Sequence, residues 1–274
     1  MYDFRAPDAD PAIPPLAKPH VLMTAAEVLR VSVEYPASWL LDTLAPARPE
    51  GQGRPVLVLP GFYGTDGMTS RLRAHLRRLD YSAHGWRLGR NVGLTDRIVD
   101  GLLDRFDEIS DRHGQPVSVV GWSFGGLLAR WLAHRRPDRV RQVVCLGSPW
   151  RAEGERTRST AMFERAAAKH GLSERAREIV EELRGPVPAR CTAIFSKTDG
   201  ILNWRSCELD EGETCENITV PSSHVGLVSN PLALAVLADR LAQDPDDPEP
   251  FEWSRCLRRS LVGVAAPGAG TGSP

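Results

Sequence analysis

The chain has 274 residues, of which 42% are hydrophobic and 25% are charged. That balance is typical of a globular protein with enough residues for one large core. Its 34 basic and 35 acidic residues give a formal net charge of −1, which offers no electrostatic basis for nucleic acid or an anionic membrane as the main partner. No apolar run reaches the length of about eighteen residues that a membrane span needs.

The N-terminal residues and the cysteines bear on the compartment. Met1 to Asp8 carry two acids and a proline where a secretory signal has basic and then apolar residues, so we expect a cytoplasmic protein. The five cysteines are an odd number in a large chain, which does not indicate a disulfide framework. Cys145 and Cys191 are predicted to be buried thiols. Cys207 and Cys215 flank an acidic loop and could be bridged or reduced.

The first part of the chain precedes any regular alternation of strands and helices. Residues 1–20 are rich in proline and alanine and are predicted to form an extended segment. Residues 21–45 are mostly apolar and interrupted by Pro36, which predicts one or two helices packed on the core. Within them Trp39-Leu40-Leu41 is expected to be buried rather than to contact lipid, because isolated apolar triplets are usually buried.

From residue 55 onward, strand and helix patterns alternate. Short apolar runs predict strands at 55–59, 81–88, 116–120, 140–146, 191–195 and 217–220. Amphipathic or helix-forming stretches predict helices at 67–79, 96–112, 126–135 and 232–241. Strands separated by single helices predict an α/β fold, with a mostly parallel sheet covered by helices on both faces.

Two stretches depart from this alternation. Residues 151–186 are strongly charged, helical in propensity and without a strand pattern. They fit a small helical cap inserted between two strands, or equally a long solvated crossover. The main domain is predicted to span 21–243, and residues 244–274 to form a C-terminal tail that is disordered beyond about 262.

The most informative motif is Gly121-Trp122-Ser123-Phe124-Gly125, which lies between a predicted strand and a predicted helix. Gly-x-Ser-x-Gly in this context is typical of a nucleophile elbow, a strained turn that presents a serine hydroxyl above the sheet. A serine hydroxyl needs a base to accept its proton, and the base needs a carboxylate to orient it. In hydrolases with such an elbow the acid and then the histidine follow the serine along the chain.

Asp199 is the candidate acid because it directly follows the strand pattern of 191–195, and the carboxyl ends of parallel strands form one edge of the sheet. Glu208, Asp210 and Glu211 are alternatives in a polar loop. His224 is the candidate base, since it alone among the seven histidines lies in a loop after a strand and downstream of Asp199.

An oxyanion hole needs two backbone N–H groups that point to the developing negative charge. We expect one from Phe124, the residue after the nucleophile. The second is predicted to come from Phe62, in the loop that follows the first strand, where Gly61 lets the chain turn. A simple Pro-Gly turn is the alternative interpretation of this loop.

From about residue 55 to 242 the chain resembles a serine α/β hydrolase of the lipase and esterase type. The resemblance lies in Val120 to Arg130, in Leu146-Gly147-Ser148-Pro149-Trp150, in Thr198-Asp199-Gly200 and in Ser223 to Leu227. The chain departs from many lipases in having Pro60-Gly61 in place of His-Gly and Trp122 in place of a histidine. Both variants are similar, in short local matches, to cutinase-like polyester hydrolases.

The residues and the resemblance together predict hydrolysis of a carboxylic ester, of a small molecule or a lipid, through an acyl-enzyme. Ser123 would be the nucleophile, His224 the base and Asp199 the acid, with no metal or cofactor. An apolar substrate pocket is expected from Tyr63, Trp122 and Trp150, together with Phe62 and cap residues such as Phe163. The alternatives are acyl transfer by the same triad and a non-catalytic binding protein on a hydrolase scaffold.

Overall fold

The fold is a single parallel sheet with helices on both faces, seen in a computed structural model that describes residues 19–44, 50–150, 158–210, 212 and 214–261. The strands, in the spatial order β2-β1-β3-β4-β5-β6, are β1 (Pro55–Leu59), β2 (Ser82–Gly85), β3 (Val117–Trp122), β4 (Val140–Leu146), β5 (Cys191–Phe195) and β6 (Cys215–Thr219). The helices are α1 (Val21–Leu44), α2 (Ser70–Arg78), α3 (Asp96–His113), α4 (Phe124–Arg135), α5 (Arg158–His170), α6 (Ala176–Glu182), α7 (Pro231–Ala242) and α8 (Trp253–Leu261). The predicted α/β class is confirmed.

Alternating side chains of the strands enter two separate apolar clusters. Leu57 and Leu59 of β1 pack with α3 and α4 on one face, whereas Val56 and Val58 pack with α2 and α7 on the other. All four side chains are fully buried. Because burial of such a side chain stabilises a fold by about 1.5–3 kcal/mol, strands with apolar residues on both faces are stable only between two helical layers.

The strand order places two loops side by side at the carboxyl edge of the sheet. The chain moves from β1 outward to β2 and then returns to β3 on the other side of β1. Leu59, at the end of β1, pairs in register with Gly121 near the end of β3. A reversal of strand order of this kind opens a crevice between two loops, which is where α/β sheets bind ligands.

Helix α1 is a single helix, as one of the two possibilities for residues 21–45 predicted. It contains Pro36, and its side chains at Trp39 and Leu40 are 46% and 59% exposed, so the predicted burial is wrong for these two residues. The side chain of Leu41 lies outside the described residues. The reason is that the face of α1 turned to the protein is polar, and hydrogen bonds rather than apolar contacts hold it in place.

The segment between β4 and β5 contains α5 and α6, and its described part, from residue 158, has no strand. Residues 151–157 lie outside the described residues, and the cap remains a prediction.

Helix α8 was not predicted. It packs against α7 through the buried Cys256, which the Asp/Pro-rich sequence before it does not indicate. The extended segment expected at the N-terminus and the disorder expected beyond 262 concern residues 1–18 and 262–274, which are not described.

In the described part of the chain, no helix combines the length and the apolar character required to cross a bilayer.

Candidate active site

Ser123 occupies a strained turn between β3 and α4. Its backbone has φ 53° and ψ −124°, in the positive-φ region that costs a non-glycine residue free energy. The Ser123 N–H donates to the carbonyl of Leu146 at 2.8 Å, which fixes the turn to the end of β4. The side chain is half-buried and therefore accessible. These are the features of a nucleophile elbow.

The two glycines of the motif are required by close backbone contacts. A Cβ atom on Gly121 would lie 2.2 Å from the carbonyl oxygen of Gly125, and a Cβ on Gly125 would lie 2.5 Å from the carbonyl oxygen of Leu59. Any larger residue would push α4 away from β3 and β1. The spacing Gly-x-Ser-x-Gly therefore follows from how tightly helix and strands pack around the serine.

Asp199 and His224 form a buried pair beside this turn. The Nδ1 atom of His224 lies 2.6 Å from Oδ2 of Asp199, and the two side chains are 5% and 2% exposed. The other carboxylate oxygen accepts the N–H groups of Ile201 at 2.7 Å and Leu202 at 2.8 Å. Two backbone N–H groups thus donate to Asp199, and its third partner is the ring nitrogen of His224.

This arrangement fixes the tautomer of His224. A carboxylate only accepts hydrogen bonds, so Nδ1 carries the proton and Nε2 keeps a free lone pair. A neutral imidazole with its Nε2 lone pair available can take a proton from a hydroxyl group.

His224 is held at the ends of β3 and β4 by contacts with Trp122 and Gly147. The indole N–H of Trp122 donates to the carbonyl of His224 at 3.0 Å, and the two rings are 5.8 Å apart between centroids. A Cβ on Gly147, which follows β4, would lie 3.3 Å from Nδ1 of His224. Trp122 and His224 are each only 4% exposed, so this contact between indole and histidine is buried.

The loop after β1 brings Phe62 to the elbow. Tyr63, at φ 57°, donates its N–H to the carbonyl of Asn91 at 2.7 Å, and Gly64 donates to the carbonyl of Gly61 at 2.8 Å. The N–H of Phe62 donates to no acceptor among the described residues. Since the side chain of Asn91 also donates to the carbonyl of Pro60 at 2.8 Å, this loop is fixed on both sides of Phe62.

Phe124 begins α4, so its N–H has no acceptor within the helix. Its ring and that of Phe62 are 5.8 Å apart between centroids, and each is 5.7 Å from the ring of Phe163 in α5. The Tyr63 ring is 4.6 Å from that of Phe62. The two candidate oxyanion residues thus belong to one aromatic cluster, to which the predicted cap contributes Phe163.

Trp150 is tied to the loop that follows β5. Its backbone N–H donates to the carbonyl of Ser206 at 2.9 Å and its indole N–H donates to the carbonyl of Glu208. Its ring stacks under the guanidinium of Arg130 at 5.0 Å. These contacts do not include the aromatic cluster around Phe62, so a role for Trp150 in the substrate pocket remains a prediction.

The cysteines are all free thiols, and the possible bridge between Cys207 and Cys215 is not formed. Burial, with a further contribution from the nearby Asp199 carboxylate, raises the pKa of the Cys207 thiol far above its ordinary value. A thiol so hard to ionise is a poor nucleophile and a poor partner in disulfide exchange.

Of the alternative acids, Glu211 lies outside the described residues, while Asp199 holds the imidazole.

Sequence reasoning missed three residues that surround these loops. Asn91 is fully buried and holds the Phe62 loop. Glu27 and Glu34 of α1 accept hydrogen bonds from the loops that carry Asp199 and His224. A signal existed, because Glu27, Arg30 and Glu34 place polar groups at helical spacing in a stretch that is otherwise apolar.

Comparisons with known proteins concern the fold and one segment of the chain. The family described as alpha/beta hydrolase fold matches residues 54–172. Lipase LipV of Mycobacterium tuberculosis is 33% identical over 112 residues, which are 40% of this chain and 42% of that protein. The pimeloyl-[acyl-carrier protein] methyl ester esterase of Shewanella woodyi is 33% identical over 98 residues, 36% of this chain and 37% of that protein. The matches thus span about two fifths of the length of these relatives.

Solved structures extend the similarity of fold beyond the matched segment. Lipase B of Aspergillus fumigatus superposes with a TM-score of 0.58 at 20% identity, over 81% of this chain and 61% of that one. A structure of the metagenome-derived lipolytic enzymes LipS and LipT gives a TM-score of 0.52 at 18% identity, over 69% of this chain and 92% of that one. The parallel sheet and these similarities together show that the chain has the α/β-hydrolase fold, and residues 54–172 match the family of that description.

Proposed function

We propose that this protein is a serine hydrolase that cleaves a carboxylic ester through an acyl-enzyme. The observation that carries the proposal is the 2.6 Å hydrogen bond from Nδ1 of His224 to Asp199, buried beside the strained serine of the elbow. It leaves Nε2 of the imidazole free to act as a base, as a serine nucleophile requires.

In the first half-reaction, Oγ of Ser123 attacks the ester carbonyl while Nε2 of His224 takes its proton. The carbonyl oxygen becomes an oxyanion, which the N–H groups of Phe62 and Phe124 stabilise. The C–O bond to the alcohol then breaks, and His224 returns the proton to the departing alkoxide. Asp199 keeps the imidazole oriented and stabilises its charged form.

In the second half-reaction, a water molecule gives a proton to His224 and its oxygen attacks the acyl-enzyme. The bond to Ser123 breaks, the acid is released and the serine recovers its proton. Each oxyanion donor in such a site contributes about 100- to 1000-fold to kcat. The fixed loop around Phe62 suits this role, since donors stabilise charge best when they need not reorganise.

The substrate class follows from the aromatic cluster around the elbow. Phe62, Tyr63, Phe124 and Phe163 offer apolar ring surface, which favours an acyl group with hydrocarbon character. We therefore propose an ester of a small molecule or a lipid. The relatives named as a lipase and as a methyl ester esterase are consistent with an ester. The unpaired thiols support a location in the cytoplasm, where cysteines are kept reduced.

The test combines turnover with covalent labelling. A fluorophosphonate probe should label the wild-type protein once, at Ser123, and short p-nitrophenyl esters should be hydrolysed. Ser123→Ala should lose labelling and lower kcat by about a thousandfold or more, because the nucleophile is gone.

Ser254→Ala is the matched control, since Ser254 is exposed on α8, away from the elbow. It should behave as the wild type, and circular dichroism should show both variants folded. Labelling or turnover that persists in Ser123→Ala would refute the proposal, and so would a folded wild-type protein that is inert to both the probe and the esters.

A further inference from the structure

Helix α1 lies outside the segment that matches the family and contacts the loops of the candidate triad. Glu27 and Glu34 are seven residues apart, which is about two helical turns, so both carboxylates lie on the same face. That face is turned to the loops that follow β5 and β6. These loops carry Asp199 and His224.

The carboxylate of Glu27 joins the two loops directly. Its Oε1 atom accepts the N–H of Gly200 at 2.8 Å and the N–H of His224 at 3.0 Å, and Oε2 lies 3.3 Å from the N–H of Val225. The residue is 5% exposed. Hydrogen bonds to an ionised acceptor are about twice as strong as those between neutral groups. One buried side chain thus binds the backbone of the base and the residue after the acid.

The backbone of α1 also packs closely against the loop that carries Asp199. A Cβ on Gly200 would lie 2.4 Å from the carbonyl oxygen of Met23, so only glycine permits this approach. Thr24 donates its hydroxyl to the carbonyl of Gly200 at 2.5 Å. Arg30 donates to the carbonyl of Thr198 at 2.5 Å and to its hydroxyl at 2.9 Å. Both sides of Asp199 are therefore attached to α1.

Glu34, two helical turns after Glu27, also binds the loop that follows β6. It accepts the N–H of Ser223 at 2.8 Å, the Ser223 hydroxyl, and the side-chain amide of Asn230 at 3.1 Å. A Cβ on Gly226 would lie 1.7 Å from Oε2 of Glu34. The residues on either side of His224 are thus also held by α1.

We propose that Glu27 is a positioning residue for the reaction, and that α1 is part of the active-site structure. The Asp199–His224 hydrogen bond joins the loops through their side chains, whereas Glu27 joins them through their backbones. Together the two connections define where the imidazole stands relative to Ser123. The inference rests on the proposed ester hydrolysis. Glu27 does not touch the reacting atoms, so its effect is on kcat through the placement of His224.

The experiment compares Glu27→Ala, Glu27→Gln and Glu27→Asp with the control Val28→Ala, whose side chain is 78% exposed on the same helix. For each variant we would count active sites with the fluorophosphonate probe and express kcat for p-nitrophenyl butyrate per labelled site. A misplaced catalytic group costs about 100-fold per ångström. We expect Glu27→Ala to lower kcat per labelled site by about 10- to 100-fold, with KM within about threefold of the wild type.

The conservative variants separate geometry from charge. The amide oxygen of Gln can still accept the N–H groups of Gly200 and His224, so Glu27→Gln should recover most of the loss in kcat. Asp keeps the charge but is one methylene shorter, so Glu27→Asp should resemble Glu27→Ala. Val28→Ala should match the wild type.

Three results would overturn the inference. The first is a kcat per labelled site in Glu27→Ala within about twofold of the wild type, with only a lower labelled fraction, which is the signature of a purely structural role. The second is wild-type activity in Glu27→Asp. The third is unchanged hydrogen exchange in Glu27→Ala at the amides of Gly200 and His224, which we expect to exchange faster than in Val28→Ala. The exchange measurement tests the contact even if the wild type cleaves no ester, so failure of the proposed function remains distinguishable.

Discussion

Asn91 is the residue outside the candidate triad that fixes the Phe62 loop most directly. Its side-chain amide donates to the carbonyl of Pro60 at 2.8 Å, and its Oδ1 accepts the N–H of Gly93 at 3.2 Å. Its main chain exchanges hydrogen bonds with the Phe62 loop, from Asn91 N–H to Gly64 at 2.9 Å and from Tyr63 N–H to Asn91 at 2.7 Å. The loop is not part of the sheet, so this buried residue supplies the hydrogen bonds that a neighbouring strand would otherwise supply.

Asn91→Ala should therefore lower both stability and turnover. Two backbone groups lose their buried partners, which costs about 1–3 kcal/mol of unfolding free energy. A looser Phe62 N–H should also reduce kcat by about tenfold or more, since oxyanion donors act through their fixed placement. Urea unfolding and p-nitrophenyl ester kinetics measure the two effects. A kcat equal to that of the wild type would show that the loop keeps its shape without this side chain.

At the scale of elements, α1 is inverted relative to an ordinary surface helix. Its inward face bears carboxylates and hydroxyls that bind loop backbones, and its outward face bears large apolar side chains. The exposed ones, each 59% exposed or more, are Val21, Leu22, Val28, Leu29, Val33 and Leu40. Polar groups outweigh apolar burial here because loop ends at the carboxyl edge of a parallel sheet present unpaired N–H and C=O groups, which need partners.

The inversion predicts that apolar side chains of α1 contribute little to stability. The double variant Val28→Gln/Leu29→Gln should change the free energy of unfolding by less than about 0.5 kcal/mol, because both side chains are already in contact with water. The comparison is Leu237→Ala in α7, a fully buried leucine whose truncation should cost about 2–5 kcal/mol. Urea titrations of the three proteins give the values. A loss above about 2 kcal/mol in the double variant would mean that this face is buried.

At the scale of the whole molecule, a histidine pair at the edge strand β2 is expected to make the free energy of unfolding depend on pH. His84 in β2 and His113 at the end of α3 have their Nε2 atoms 3.0 Å apart. Burial, together with the positive charge of Arg105 and the neighbouring His113, lowers the pKa of His84 from 6.5 to about 4. The folded state thus keeps His84 neutral at pH values where the unfolded chain already binds a proton.

The free energy of unfolding should therefore be highest above about pH 6.5 and should fall as the pH decreases towards 4. The reason is that His84 binds a proton in the unfolded state at a higher pH than in the folded state. The shift sets an upper limit of about 3 kcal/mol, and solvent screening at this half-buried site makes about 1–2 kcal/mol the expected size. His84→Gln should flatten the dependence of unfolding free energy on pH between 7 and 5, whereas His170→Gln, on an exposed residue, should not. Equal slopes for wild type and His84→Gln would contradict this explanation. Asp107, whose pKa is lowered by hydrogen bonds from Arg136, titrates below this range.

The sequence alone was enough to predict the sheet, the helices α2, α3, α4 and α7, and the positions of Ser123, Asp199 and His224 after strands. Those signals are local: apolar runs of strand length, the glycine spacing around Ser123, and an acid and a histidine each in a loop after a strand. Local signals suffice there because a parallel sheet brings the carboxyl ends of its strands to one edge whatever the intervening chain does. In the structure the side chains of His224 and Asp199 meet at this edge, with 2.6 Å between Nδ1 and Oδ2.

Only the tertiary structure could decide the orientation of α1, the role of Asn91 and the packing of α8. An apolar stretch such as 21–44 predicts burial, and nothing within it shows that loops almost two hundred residues later offer unpaired backbone groups to Glu27 and Glu34. Likewise, Asn91 is an ordinary polar residue until the Phe62 loop folds around it. Contacts between residues far apart in sequence depend on which surfaces meet, and local composition does not contain that information.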